Sequence, residues 1–343
     1  MNKILVTGAA GQVGCRTVRQ LLQKGHEVRG LILPNDPVGH RLTGLEMEVV
    51  EGDLLNPAVA EAAVADVDGV IHTANIISPA EGMDDAGWFD NNVRATFNIT
   101  QAAAGRADEI ERFVSLSSSG VYPNDSHQFG CAYHPVDELH PKRPEPIYTL
   151  SKWIGEDIVR AYEASAGLRV SIIRPSGIMS GADVLGRWTA GFVAVVLEIG
   201  MKAPRSEMYM ASGGEPWHDL LALAASPDQP CAVTDTQGRA WAYQPVDARD
   251  VARGAICALE HPAAVGEAFN IASPEPITFP LAAHVLAGAT GREVLEWQAP
   301  VRWLYDLDIT KAKAWIGYQP QWGIREMIAD ALAFQAGETD GMI

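Results

Sequence analysis

Cysteine is scarce and scattered. Cys15, Cys131, Cys231 and Cys257 are the four among 343 residues, and no two stand close together. That spacing excludes a thiolate metal site and a disulfide scaffold, and it predicts reduced thiols in a cytoplasmic protein. Long apolar runs are missing too. The longest, Ala190 to Leu197, is cut off by Glu198, well short of the roughly 18 residues of a membrane span. Met1-Asn2-Lys3-Ile4 runs straight into a strand-like stretch, so no signal peptide is expected. Positive charge is in deficit: 26 Lys and Arg stand against 43 Asp and Glu, a net charge of −17. Nucleic acid and anionic membranes need basic patches, so neither is an expected partner. The acidic excess serves solubility, and any phosphate-bearing ligand must be held by local groups. Internal repeats and low-complexity segments are absent as well.

What is present is an ordinary globular composition, 47% hydrophobic and 20% charged, enough for one large or two smaller cores. Lys3 to Thr7 predicts a short buried strand. Thr7-Gly8-Ala9-Ala10-Gly11-Gln12-Val13-Gly14 follows, then a helical pattern through Val18, Leu21 and Leu22 that stops at Gly25. His26 to Leu33 predicts a second strand. Glycines between a strand and a helix, inside a strand–helix–strand unit, are the setting of a dinucleotide fingerprint. They permit a tight turn and let backbone N–H groups and the helix N-terminus approach a pyrophosphate. The bland alternative is a glycine-rich turn without a ligand.

Tyr148-Thr149-Leu150-Ser151-Lys152 is the second chemical signal. On a helix, Tyr148 and Lys152 stack at i and i+4 on one face. A phenol alone, with a pKa of about 10, is a poor base near neutrality. An ammonium within about 4–6 Å favours the phenolate and lowers that pKa, so Tyr148 can take a proton from an alcohol or give one to a ketone. Taken alone, Tyr-x-x-x-Lys is a common pair on amphipathic surfaces.

The spacing Gly8-x-x-Gly11-x-x-Gly14, combined with Tyr148-x-x-x-Lys152, resembles the short-chain dehydrogenase/reductase superfamily. Length and later motifs resemble its extended branch, the NAD-dependent epimerase/dehydratase family. The resemblance implies a cofactor site made by Gly8, Gly11, Gln12, Val13 and Gly14. The family's acidic, cofactor-selecting position falls on Ile32, with Leu33 next, and neither is charged. Asn35, Asp36 and Arg41 follow. With no basic residue at the strand end, NAD is expected, and NADP stays open.

Further positions follow by resemblance. Met47 to Val50 predicts a third strand leading to Asp53-Leu54, which carry over as an adenine contact; Asp53 also suits the N-cap of a helix over Pro57 to Val64. Gly69 to Ala74 resembles the family strand ending in His-x-Ala beside the cofactor, which places Thr73 and Ala74 there and leaves His72 a structural part. The loop Asn75 to Gly87, with Ser78, borders the substrate in related enzymes. Asn92, at the start of the next helix, matches the Asn that orders the active site. Ser117-Ser118-Ser119-Gly120-Val121-Tyr122 follows a fifth strand, Arg112 to Leu116. It aligns Ser118 with the catalytic hydroxyl, about 30 residues before Tyr148, with Ser119 beside the substrate. A sixth strand, Arg169 to Ile173, leads into Arg174-Pro175-Ser176-Gly177-Ile178, which resembles the turn that packs by the nicotinamide amide and brings Pro175 and Ile178 to the cofactor.

After Ile178 the sequence says less. Helices are expected over Gly186 to Leu197 and Trp217 to Ala225. Trp188, Met208, Met210, Trp217 and His218 are candidate pocket residues, though such side chains are more often core. Only Arg187, Lys202, Arg205 and Arg239 are basic between Ile178 and Ala240, a thin supply for a second diphosphate. Trp241 to Ala252 resembles the family's aromatic and Val-Asp segment, followed by the strand Ala268 to Ala272. Ile277 to Thr290 and Tyr305 to Phe334 predict helices of a C-terminal lobe. The expected architecture is a doubly wound parallel sheet of Rossmann type with a smaller mixed lobe. Residues 1–178 and 241–272 form the dinucleotide-binding part, 179–240 and 273–336 the substrate lobe. The resemblance implies an NAD(P)-dependent oxidoreductase acting on a secondary alcohol or ketone of a sugar-like or related hydroxy compound. Tyr148 is its acid/base, Lys152 its partner, and Ser118 orients the substrate oxygen. The alternative is a nucleotide-sugar epimerase that oxidises transiently with tightly bound NAD. A homodimer is the family expectation, and a cofactor-binding regulator is the remaining option.

Overall fold

The structure, a computed structural model, describes residues 1–77, 82–124, 129–145 and 147–339. Six strands build most of the main sheet: β1 (Lys3–Thr7), β2 (Glu27–Ile32), β3 (Glu48–Glu51), β4 (Gly69–His72), β5 (Arg112–Leu116) and β6 (Val170–Pro175). Later come β7 (Ile178–Met179), β8 (Cys231–Asp235), β9 (Ala242–Tyr243), β10 (Val246–Asp247), β11 (Ala268–Ile271), β12 (Ile277–Thr278), β13 (Leu295–Ala299) and β14 (Leu304–Tyr305). β11 completes a seven-stranded sheet in the order β11-β6-β5-β4-β1-β2-β3, with every neighbouring pair parallel.

A parallel sheet covered on both faces needs nearly continuous apolar strands, and β1 has Ile4, Leu5 and Val6 fully buried. Alternate residues serve opposite faces. Leu5, Val70, Phe113 and Ile172 join one apolar cluster, while Ile4, Ile71, Val114 and Ile173 join the other. The helices are α1 (Gly14–Gln23), α2 (Pro57–Ala63), α3 (Asp85–Phe89), α4 (Ala95–Ala104), α5 (Ile147–Ala166), α6 (Ala190–Lys202), α7 (Pro216–Leu223), α8 (Ala248–Glu260), α9 (Phe279–Thr290), α10 (Thr310–Ile316) and α11 (Ile324–Gln335), of which α1, α5 and α8 pack on the sheet directly. The chain winds from β1 to β3 on one side, then returns through β4 on the other. The crevice between β1 and β4, beyond their C-terminal ends, is therefore the topological switch point where ligands bind in such sheets.

Four local expectations are corrected. α2 is capped by Asn56, whose side chain accepts from Ala58 N, and not by Asp53, whose carboxylate accepts from Leu55 N. The segment Asn75 to Gly87 is not loop throughout, because α3 begins at Asp85 under an Asp84 cap. The helix expected over Gly186 to Leu197 is shifted to α6, since Thr189 caps Phe192 N and sets the start. The helices expected from Ile277 and from Tyr305 are each preceded by a short strand, β12 and β14, within a lobe that is mixed as expected, where β13 pairs with β8 and β14 with β9. Short strands such as β14 carry too few residues for a period-two pattern to show. Among the described residues, no helix is long and apolar enough to cross a membrane.

Candidate active site

Both chemical signals meet at one cleft of about 970 Å³ beyond the C-terminal ends of β1 and β4. On its nucleotide side are Gly8, Gly11, Gln12, Val13 and Gly14, with Leu33 from the end of β2, Asp53 and Leu54 after β3, and Thr73 and Ala74 after β4. On its reactive side are Ser118, Ser119, Tyr148 and Lys152, with Pro175 and Ile178 after β6. Asn92 lies outside the lining, and Ser78 lies outside the described residues.

The glycine turn is tight for a steric reason. Gly8 has φ +64°, and a Cβ there would lie 2.8 Å from Ala74 Cα. A Cβ on Gly14 would lie 2.1 Å from the Gly8 carbonyl oxygen. The backbone thus folds against itself where only hydrogen fits. α1 begins at Gly14 with no side chain capping it from Val13, so no side chain competes with a ligand for the positive end of its dipole. Gln12 spans the cleft, its amide donating to Ser180 Oγ at 2.6 Å. These are the features a dinucleotide pyrophosphate requires, and the turn fits one. Beyond Leu33 the chain bends back, so that Asp36 lines the cleft while its carboxylate accepts from Val38 N at 3.0 Å. Arg41 does not line it; its guanidinium donates to Ala10 O at 3.3 Å.

Tyr148 and Lys152 sit in the first turns of α5. Lys152 is buried, and its ammonium donates to Leu116 O at 2.6 Å, tying the helix to the end of β5. Burial lowers its pKa to about 7, against the pull of Glu156 one turn on. Tyr148 keeps some surface open to the cleft, yet the atoms packed around its phenol push its pKa up to about 12, and the Ser118 hydroxyl bonded to it opposes that rise. The expected effect of the lysine on the phenol is not what dominates here. Desolvation outweighs it, Ser118 supplies the lowering influence, and the lysine itself is the group brought near neutrality.

A buried network holds this arrangement. Burial would raise the Glu156 carboxyl, but Arg174 grips both its oxygens at 2.8 Å and holds it below the ordinary range. Ser117 Oγ donates to the same carboxylate at 2.6 Å. Arg174 is thus committed to Glu156 and Tyr122, behind the cleft. Asn92, in a π-helical turn over Asp90–Arg94, accepts from Ile76 N and donates to Ile76 O, both at 3.0 Å, and to Ser151 Oγ at 3.2 Å. Ser151 Oγ in turn donates to Tyr148 O at 2.6 Å. Asn92 therefore ties the loop after β4 to the first turn of α5 from behind the wall. His72 is buried between Thr7 Oγ1 at 2.8 Å and Thr96 Oγ1 at 3.0 Å, and burial lowers its pKa to about 3. It stays neutral and structural.

The substrate half of the cleft contains residues that the sequence did not single out. Phe192, Val195, Val196 and Ile199 come from α6, Tyr243 from β9, Tyr305 from β14, and Trp303 from the segment before it. Arg187 and Trp88 also line it. The Trp88 ring stacks on Tyr148 at 6.4 Å and 24°, and its indole N–H donates to Ile76 O at 3.1 Å. Trp188, Met208 and Trp217 are core instead, and neither Met210 nor His218 reaches the cleft. Tyr243 alone had a signal, the aromatic segment before Val246-Asp247. Nothing local marked the others.

Comparison with known proteins bears on this site. The NAD dependent epimerase/dehydratase family matches residues 4–272. A 3 beta-hydroxysteroid dehydrogenase/Delta 5→4-isomerase of Mycobacterium tuberculosis is 33% identical over 195 residues, 53% of this chain and 49% of that protein. A putative UDP-glucose 4-epimerase of Methanocaldococcus jannaschii is 30% identical over 198 residues, 57% of this chain and 62% of that protein. The chain therefore spans about half to three-fifths of the length of these relatives. A short-chain dehydrogenase/reductase superfamily protein from Agrobacterium tumefaciens, solved with bound NAD, superposes with a TM-score of 0.77 at 26% identity, over 98% of each chain. A UDP-glucuronic acid 4-epimerase from Bacillus cereus, TM-score 0.69 at 21% identity over 96% of each chain, shares the fold.

Proposed function

The chain belongs to the NAD-dependent epimerase/dehydratase family, and from that premise we propose that it is an NAD-dependent oxidoreductase acting on a secondary alcohol or its ketone. The observation that carries this is that a single cleft is lined both by the glycine turn and by Ser118, Tyr148 and Lys152. Gly8, Gly11, Gln12, Val13 and Gly14 with the open end of α1 would hold the pyrophosphate, Asp53 and Leu54 the adenine, and Thr73, Ala74, Pro175 and Ile178 the nicotinamide end. We assign residues 1–178 and 241–272 to this half and 179–240 and 273–336 to the substrate lobe. Asp36 in the cleft suits unmodified ribose hydroxyls and repels a 2′-phosphate, which favours NAD over NADP. The nicotinamide, when bound, supplies a hydride acceptor for oxidation and a hydride donor for reduction.

Ser118 and Tyr148 together hold the substrate oxygen. In ketone reduction the Tyr148 phenol, protonated at neutral pH, donates its proton to that oxygen. In alcohol oxidation the phenol takes the alcohol's proton as it passes its own towards Lys152, whose amine is partly neutral near pH 7 and can accept it. Trp88 and the Asn92–Ser151 link keep the phenol oriented. A homodimer and a cytoplasmic setting belong to the same proposal; four cysteines that form no disulfide support the setting, and the family resemblance supports the dimer. The second assignment, a nucleotide-sugar epimerase, has the epimerase relative in its favour.

The test is incubation of the pure protein with NAD and a panel of secondary alcohols and nucleotide-sugars, following the reduced cofactor. Net reduction in proportion to substrate is expected. Isomerised nucleotide-sugar without net reduction would support the epimerase instead. Tyr148→Phe is expected to lower either activity by ~10³-fold, and an unchanged rate would remove Tyr148 from the chemistry.

A further inference from the structure

We infer that the substrate is a largely apolar alcohol or ketone bearing a single anionic group that pairs with Arg187, and not a sugar nucleotide. This rests on the oxidoreductase assignment above and names the substrate class of that same site. Past Tyr148, most of the wall is apolar or aromatic, with Asn124 and Ser176 among its few neutral polar members. Tyr243 stacks on Trp303 at 5.4 Å and 20°, and on Tyr305 at 6.3 Å and 27°. Trp303 and Tyr305 are nearly wholly buried, so the stack gives this wall a rigid aromatic backing.

Beside them, where Phe192 packs on Trp303 at 6.3 Å, α6 presents Val196 with Val195 and Ile199. Away from the nucleotide side, where Leu33 is also open, three large apolar side chains of the lining remain exposed: Ile77 is 61% exposed, Val195 54% and Ile199 44%. A chain of net charge −17 has polar residues in plenty to cover such a rim. Contiguous exposed apolar surface around a concave site marks something apolar to be bound there.

The charges tell the same story. In the substrate half, Arg187 is the one cationic lining residue among the described residues; the other charged lining groups are Asp36 and Asp53, on the nucleotide side, and buried Lys152. Its guanidinium lies over the Phe192 ring at 4.9 Å. Among the described residues it makes no ion pair. A sugar nucleotide brings a diphosphate with two charges and many hydroxyls into this space. Leaving such groups without partners costs about 1–3 kcal/mol each, more when charged. One arginine on an aromatic ring instead matches one carboxylate, with the rest of the ligand against hydrocarbon.

The experiment uses the Tyr148→Phe protein saturated with NAD, so that binding is read without turnover. Three probes are titrated by calorimetry: a 3-hydroxysteroid with a side-chain carboxylate, its methyl ester, and UDP-glucose. The carboxylate is expected to bind at least about tenfold tighter than the ester, a gap of ~1.4 kcal/mol, and UDP-glucose more weakly than either. Arg187→Gln is expected to close the gap between carboxylate and ester while leaving the ester where it was. UDP-glucose binding tightest, no binding by any of the three, or a gap that survives Arg187→Gln would each overturn the inference. The two assignments fail separately. Sterol binding with no NAD reduction by the parent protein sinks the oxidoreductase alone, whereas NAD reduction with sugars only sinks this substrate class alone.

Discussion

The two halves of the cleft are built from different materials. The nucleotide half is made of backbone: a turn where Cβ atoms do not fit, an uncapped helix start and strand ends in register. The substrate half is made of side chains, drawn from α6, β9, β14 and the loop before it, segments spread over more than a hundred residues of chain. Backbone sites tolerate almost no change, because one added atom displaces the donors themselves. Side-chain sites tolerate much, because each group supplies a fraction of a shared surface. That difference suits a protein that keeps one cofactor and adapts its substrate.

The seam between the halves, Lys152, is where the largest effect is expected. Lys152→Met removes the group brought near neutrality and leaves a phenol pushed up to about 12. In the parent protein, alcohol oxidation should rise with pH and level off above about 7; in the variant it should go on rising, and near pH 8 be slower by ~10⁴-fold. A variant profile that still levels off near neutrality would take Lys152 out of the proton path. Stability should move the other way. A buried lysine whose pKa is lowered in the folded state costs stability in full below about 7, and the cost fades as pH rises towards the unfolded value of 10.5. The Met variant should therefore gain most in acid, by up to ~5 kcal/mol before the lost hydrogen bond to Leu116 is subtracted. Thermal melts across that range read the sign directly.

Within the nucleotide half, Gly14→Ala puts a methyl 2.1 Å from the Gly8 carbonyl, where backbone must move. Cofactor affinity is expected to fall ~10²-fold, with ~1–3 kcal/mol lost from the fold. Equal NAD binding by parent and variant would show that the turn is not the pyrophosphate site. Asp36→Ala is milder. Removing the carboxylate from the ribose end should narrow the preference for NAD over NADP by ~10-fold, measured as the ratio of the two dissociation constants; an unaltered ratio would mean that Asp36 does not face the ribose.

The same contrast explains what could be read in advance. Ile4-Leu5-Val6 followed by glycine, the helical pattern to Gly25, and Tyr148 four before Lys152 are local signals, and local signals survive in sequence. The seven-stranded order follows from them once strands alternate with helices. Asn56 and Asp53 compete for one cap, and only the φ of the chain decides between them. Phe192, Trp303 and Tyr305 carry no such mark: each looks like a core aromatic, and only the fold sets them against the cleft wall. Arg187 looked like one of a few scattered cations, and its importance comes from the absence of others nearby. The phenol's elevated pKa was not readable either, since helix spacing gives the neighbour but not the burial.

The smallest effect tests the contrast from the side-chain end. Phe192 packs near-parallel to Phe279 at 6.3 Å and 15°, tilts against Trp303 at 6.3 Å, and carries Arg187 on its face. Phe192→Leu keeps an apolar side chain on α6 but removes the ring. Ring–ring contacts are worth ~0.5–1.5 kcal/mol beyond area burial, so KM for a ring-shaped substrate should rise about two- to tenfold. The KM for NAD should not move, because no atom of the glycine turn depends on α6. Since Arg187 rests on that ring, a carboxylate-bearing substrate should lose more than its neutral ester. If KM for NAD rose in step with the substrate's, the two halves would be one coupled surface, and the separation of backbone from side-chain recognition would not hold.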